Sequence, residues 1–224
     1  MNVNDDFAAR AAVHAADAPW IPSPMPGVDR RPLDRIGDEV ARATTIVRYA
    51  PGSAFSAHTH TGGEEFLVLE GVFQDEHGDF PVGTYVRNPP TTKHTPASET
   101  GCVILVKLWQ FDMGDRNQFR VDEGARDFAA AGEGVEAASL HRDAREEVRI
   151  ERWAPGARVT AAAGDGLEIF VIEGGFSEGG EDFSRWSWLR LPKGAALSAV
   201  AGPEGAEVWV KAGHLAETPT GPRV

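Results

Sequence analysis

The stretch "EFLVLEGVF" at residues 65–73 returns as "EIFVIEGGF" at residues 168–176. Each copy is a short apolar run closed by a glycine, the pattern of a β-strand that ends in a turn. The likeness extends outward in both directions. "RYAPG" (48–52) parallels "RWAPG" (152–156) at an offset of 104, and the strand copies sit at 103, so one residue is missing between them. "VRNP" (86–89) parallels "LRLP" (189–192), Val106-Lys107 parallels Val210-Lys211, and the lead-in "RPLDRIGDEV" resembles "SLHRDAREEV".

Further strand candidates fall in the same order in both halves. "TTIVRYA", "GTYVRN" and "CVILVKLW" serve the first, and "EVRIERWA", "SWLRLP" and "EVWVKAG" the second. With 25 glycines and 15 prolines punctuating short runs, the chain reads as all-β: two similar sandwiches or barrels in tandem. The expected layout is an extended N-terminal arm over 1–30, a barrel over 31–111, a linker over 112–143, a second barrel over 144–216 and a tail over 217–224. Prolines in "APWIPSPMPGV" suit an extended path and not a central strand. The polar, Ala/Gly-rich linker is expected to hold at most a short helix.

Composition narrows the functions. Hydrophobic content of 42% and charged content of 25% are ordinary for a globular protein of 224 residues. Lys and Arg total 22 against 34 for Asp and Glu, a net −12, which repels phosphate backbones and anionic lipid. No nucleic-acid or membrane partner is therefore expected. The N-terminus lacks the apolar core of a signal peptide, and a cytoplasmic protein is the expectation. The single cysteine, Cys102, excludes internal disulfides and Cys-rich zinc modules, and it reads as a small buried strand residue.

One difference between the halves is informative. "HTHTGGEEF" (58–66) carries His58 and His60, which an extended chain projects to one face, followed by Glu64. In the second half these positions fall at small residues near Ala161 and Ala163 and at Leu167, and His94 falls opposite Leu197. Four candidate ligands vanish together while the scaffold persists, as expected if His58, His60, Glu64 and His94 form one metal site. Glu65 keeps a counterpart in Glu168 and reads as a structural or surface residue, as do Arg48/Arg152 and Lys107/Lys211. Imidazole and carboxylate donors accept Zn²⁺, Fe²⁺, Mn²⁺, Ni²⁺ or Cu²⁺. Phe66 shares the face of Glu64, so it is expected either to line the pocket or to pack in the core. No Ser-His-Asp or Cys-His nucleophile is evident, so no catalytic group is expected beyond the metal ligands. His14, His77, His141 and His214 read as surface or local hydrogen-bonding residues.

These residues carry a resemblance. "GSAFSAHTHTGGEEFLVLEG" (52–71) is similar to the first cupin motif through Gly52, His58, His60, Glu64 and Gly71, and Pro81 and Gly83 match the second motif. His94 lies further from that Pro-x-Gly than in most cupins. The segment through "GTYVRNPP" to "HTP" resembles the cupin domain of ChrR-type anti-sigma factors, where the last ligand follows such a turn. The resemblance implies a bicupin: two tandem double-stranded β-helix (jelly-roll) barrels, one metal-competent and one degenerate. It implies one divalent ion and a small-molecule ligand or substrate, with a homodimer among the expected assemblies. The leading expectation is a metal-dependent, non-haem dioxygenase-like enzyme acting on a small oxygenated organic molecule. The alternative is a ChrR-like zinc-binding regulatory cupin without turnover.

Overall fold

Alternation of side chains along two long strands organises the molecule. Along Glu64–Asp75 the residues Phe66, Val68 and Phe73 enter an apolar interior with Val28, Val47, Phe80, Val86, Ile104 and Val106. Along Leu167–Glu178 the residues Leu167, Ile169, Val171 and Phe176 do the same with Trp153, Leu189, Leu197, Val208 and Val210. Each such side chain contributes about 1.5–3 kcal/mol of transfer free energy. The two interiors, not their polar rims, therefore hold the barrels together.

This computed structural model describes residues 1–38 and 40–222. Among them the structure is almost entirely β, with a three-residue 3₁₀ turn at Glu123–Ala125 and no α-helix. No helix is long and apolar enough to cross a membrane. Two units result. One comprises Met1–Asp5, Pro19–Ala125 and a piece from Thr220 onward, the other Asp6–Ala18 and Arg126–Pro219.

In the first unit the main sheet runs Phe119–Val121, Tyr85–Asn88, Glu64–Asp75, Cys102–Leu108, Ala41–Tyr49, Val28–Gly37 and Ile21–Pro22, with antiparallel neighbours throughout. The second repeats this order strand for strand: Ala11–His14, Ser187–Leu191, Leu167–Glu178, Ala196–Ala212, Glu147–Trp153, Val135–Arg142 and Ala129–Gly132. The expected all-β pair of tandem jelly-roll barrels is the observed fold. The duplication even reaches backbone detail. Gly71 and Gly174 both have positive φ (68° and 70°), and a Cβ on either would lie 2.0 or 2.2 Å from the carbonyl oxygen of Gly101 or Gly205.

Two stretches differ from expectation. The expected linker 112–143 contains three strands: Phe119–Val121 closes the edge of the first sheet, while Ala129–Gly132 and Val135–Arg142 open the second. Its buried residues escape a period-two reading because Val135 and Ala138 lie three residues apart, and a bulge follows between Ser139 and His141. The arm expected over 1–30 is interrupted by turns; Ala11–His14 is an edge strand on Ser187–Leu191, and Val28–Gly37 begins inside it. Beside it the buried Arg190 lies under the Phe7 ring (3.8 Å) and donates to the Asp6 carbonyl (3.0 Å). The tail expected at 217–224 carries no strand through residue 222, and its last two residues lie outside the described range.

Deleting residues 1–18 uncovers that edge and strips Arg190 of both contacts. The shortened protein is expected to unfold at least several degrees lower, with light scattering on heating. Unchanged thermal unfolding would show that the second sheet does not need this strand.

Candidate metal centre

The site forms at a two-residue antiparallel ladder. His58–Thr59 pairs with Lys93–His94, so His58 and His94 sit directly opposite each other. The chain alternates, and His60 turns to the same face as His58. Backbone bonds lock this corner: His60 N–H donates to the Thr92 carbonyl (2.8 Å) and Thr91 N–H donates to the His60 carbonyl (2.9 Å). The Pro89-Pro90 turn leaves Thr91 at φ 79°, an uncommon conformation for a β-branched residue. Gly62 and Gly63 let the chain pass beneath two rings. A Cβ on Gly62 would fall 2.0 Å from the Trp109 ring, and one on Gly63 (φ 78°) would fall 2.5 Å from Phe111.

The three imidazoles converge. Ring centroids are 4.9 Å apart for His58 and His60, 5.1 Å for His58 and His94, and 4.7 Å for His60 and His94. One nitrogen from each lies within 4.8 Å of the others, and the Nε2 atoms of His60 and His94 are 3.0 Å apart. Glu64 Oε2 lies 3.4 Å from His60 Nε2 and 3.8 Å from His94 Nε2. Two donors each about 2.1 Å from one ion stand about 3.0 Å apart at a right angle and about 3.4 Å at the tetrahedral angle. The closest spacings match that range, so the donor set fits a divalent ion. His60, Glu64 and His94 are buried, whereas His58 is exposed and marks the solvent side.

Neighbouring groups orient the donors. Asp75 Oδ2 lies 3.2 Å from His94 Nδ1, which leaves His94 Nε2 facing the cluster. Glu76 accepts from Thr95 N–H (2.7 Å), a second tie between the same hairpin and the His94 segment. Asn88 Nδ2 donates to Glu64 Oε2 (3.3 Å) and is steadied by Gln118 (3.1 Å). Burial pushes His60 below the usual imidazole range. Burial acts the same way on His94, but the hydrogen bond to Asp75 and the charge of Glu64 outweigh it, so His94 rises above that range.

The sequence placed His58, His60, Glu64 and His94 together, and the fold brings all four to one corner. Glu65 turns to the opposite face, accepts from Tyr85 Oη (2.6 Å) and lies 3.8 Å from Arg87. Phe66 packs in the core, 4.7 Å from Phe73, whose ring is 5.6 Å from His94. It supports the site from one ring away. Cys102 is buried, its thiol pushed up to about 11 by burial, which keeps it unreactive. Sequence reasoning missed Asp75, Asn88 and Gln118. Asn88 belonged to a turn already noted, but nothing local signalled that Asp75 reaches His94.

The second barrel makes the contrast physical. Ala161 and Leu197 face each other there, as His58 and His94 do in the first. Leu167 pairs with Leu191 where Glu64 pairs with Asn88.

Comparison with known proteins agrees with this architecture. Residues 8–112 match the family model of the ChrR cupin-like domain. The chain has the bicupin fold, two tandem jelly-roll barrels, and its N-terminal half is similar to the ChrR cupin-like domain. Among solved structures, this bicupin is similar to a candidate dioxygenase from Nostoc punctiforme at 13% identity, covering 100% of this chain and 86% of that one, with a TM-score of 0.72. It is also similar to YhhW from Escherichia coli (15% identity, 91% and 97% covered, TM-score 0.65). Oxalate decarboxylase from Lactobacillus farciminis, solved as its formate complex, gives 11% identity, 95% and 89% coverage and a TM-score of 0.66. At such identities the likeness describes the fold of the bicupin. No curated protein sequence matches it.

Gly62→Ala forces the Trp109 ring aside and is expected to cost about 1–3 kcal/mol, with a shift in tryptophan emission. Gly124→Ala, which meets nothing within 4 Å, is expected to stay within about 0.5 kcal/mol. Equal urea midpoints for the two variants would contradict the packing described for Gly62.

Proposed function

We propose that the N-terminal barrel holds one divalent metal ion through His58, His60, Glu64 and His94. On this reading the bicupin is a metal-dependent enzyme of the non-haem dioxygenase kind, acting on a small oxygenated organic molecule. The carrying observation is the convergence of three imidazoles, two of them beside the Glu64 carboxylate, in one barrel, against Ala161, Leu167 and Leu197 in the other.

A bound ion would polarise an oxygen-donor substrate as a Lewis acid and, if redox-active, support oxygen chemistry. The chain's own residues do the rest. Asp75 holds the proton on His94 Nδ1 and keeps Nε2 free to ligate. Asn88 fixes one Glu64 oxygen, so the carboxylate does not swing away. Phe73, beside His94 and backed by Phe66 and Phe80, keeps the inner side dry. Exposed His58 sets the side from which a substrate approaches.

A second reading has one observation in its favour, the match of residues 8–112 to the ChrR cupin-like domain. There the ion would be zinc and the barrel a regulatory module without turnover. Metal analysis of protein purified without added metal, followed by oxygen uptake with a β-diketone and a hydroxyacetophenone, separates the two. Iron or another redox metal with oxygen consumption is expected; stoichiometric zinc without turnover would favour the regulatory module.

His60→Ala is expected to abolish stoichiometric metal loading while the protein stays folded, because the apolar interior carries the stability. Wild-type metal content in that variant would refute the ligand set. Asp75→Asn is expected to weaken metal affinity about 10–100-fold, measured by competition with a chelator. Protons compete with the ion for His94, so loading should weaken as pH falls from about 8 to about 5.5. Loading that is flat across that interval would contradict imidazole ligation.

A further inference from the structure

The barrel without the histidines has a hollow of its own where they would have stood. A cavity of about 390 Å³ is lined by Ala161, Leu167 and Leu197, three of the positions that answer to the metal donors. Its floor continues through Ile169 and Val210 of the apolar interior. The volume lies at the small end of ligand sites, which run from about 300 to 1,000 Å³.

Polar groups have appeared on one wall. Arg149, Glu151 and Trp153 of the strand Glu147–Trp153 all line the cavity, and at an offset of 104 their counterparts are Thr45, Val47 and Tyr49. Val47 belongs to the apolar interior of its barrel, so Glu151 sets a carboxylate where the other repeat buries a methyl group. Glu151 is 7% exposed; it accepts from Arg149 Nε (2.6 Å) and from Trp153 Nε1 (2.7 Å). A largely buried ion pair is a weak way to stabilise a core. A hollow beside it loses dispersion contacts as well. A ligand that fills the hollow and meets its polar wall accounts for both.

The charges choose the ligand class. Glu151 is engaged by Arg149 Nε and Trp153 Nε1, and Arg149, which also lies 3.6 Å from Glu147 through one terminal nitrogen, lines the cavity with its guanidinium. Arg158 lies at the same wall and, among the described residues, has no ion pair. Glu133, in the exposed turn on the rim, opposes a second negative charge on the ligand.

We propose that the second barrel is a metal-independent binding site for a small organic monocarboxylate with a ring-sized apolar body. The body rests on Leu167, Ile169, Leu197 and Val210, and the carboxylate faces Arg158 and the guanidinium of Arg149. The inference is independent of the metal reading, because none of these residues belongs to the first barrel.

Calorimetric titration of the full chain, stripped of metal, with 3-phenylpropionate tests it, using 3-phenylpropanol and 3-phenylpropylamine as neutral and cationic comparators. The carboxylate is expected to bind, with the alcohol and the amine at least about tenfold weaker. Arg158→Gln, an exposed change that leaves the core alone, is expected to lose about tenfold in affinity. Leu197→Trp, which fills the hollow, is expected to abolish binding, and His60→Ala is expected to leave it unchanged. No binding up to about 5 mM overturns the proposal. So does tighter binding of the amine, full affinity in Arg158→Gln, or binding that disappears with His60→Ala.

Discussion

The pleat of the strand Glu64–Asp75 is the constraint on which the rest depends. Side chains on a strand alternate between faces, so Glu64 and Phe66 must enter the barrel while Glu65 and Leu67 must leave it. Pairing with Cys102–Leu108 on one side and Tyr85–Asn88 on the other fixes that register. A slip of one residue would aim Glu65 at the histidines and bury Glu64 beside Arg87. The Gly62-Gly63 pair, clamped beneath Trp109 and Phe111, brings His58 and His60 around to meet Glu64.

Comparison of the repeats sorts charged residues by task. Glu65, Arg87 and Lys107 recur as Glu168, Arg190 and Lys211, and all six are buried. Glu65 takes the Tyr85 hydroxyl and Arg87 pairs with Asp115 (2.7 Å). Glu168 lies 2.8 Å from His214 Nε2, and Lys211 lies 3.1 Å from Glu146. A buried charge survives only with partners, and each barrel supplies them on the face opposite its interior. What is shared serves the fold. What is not shared, the imidazoles in one interior and the Arg149–Glu151 pair in the other, gives each barrel its own chemistry.

Much of this was legible in the residues. Alternating runs bounded by glycine and proline, seen twice, specify paired all-β barrels, and the loss of His58, His60, Glu64 and His94 as a group singled out one corner. The stretch 112–143 hides its strands because alanine and glycine carry little strand signal and because Val135 and Ala138, three residues apart, do not share one face. The edge strand Ala11–His14 is four residues long, and its partner lies at Ser187–Leu191, a pairing that no local pattern encodes. Asp75 escaped for the same reason: its role exists only once the hairpin folds against His94.

Two similar scaffolds differ in the contents of their interiors, and among the described residues the cluster of three imidazoles lies in the first barrel. Anomalous diffraction from crystals of metal-loaded protein, collected at the absorption edge of the bound element, addresses this directly. One peak per chain is expected, within bonding distance of the imidazoles of His58, His60 and His94 and of the Glu64 carboxylate. A peak between Ala161 and Leu197, or side chains at the first corner turned away from one another, would contradict it.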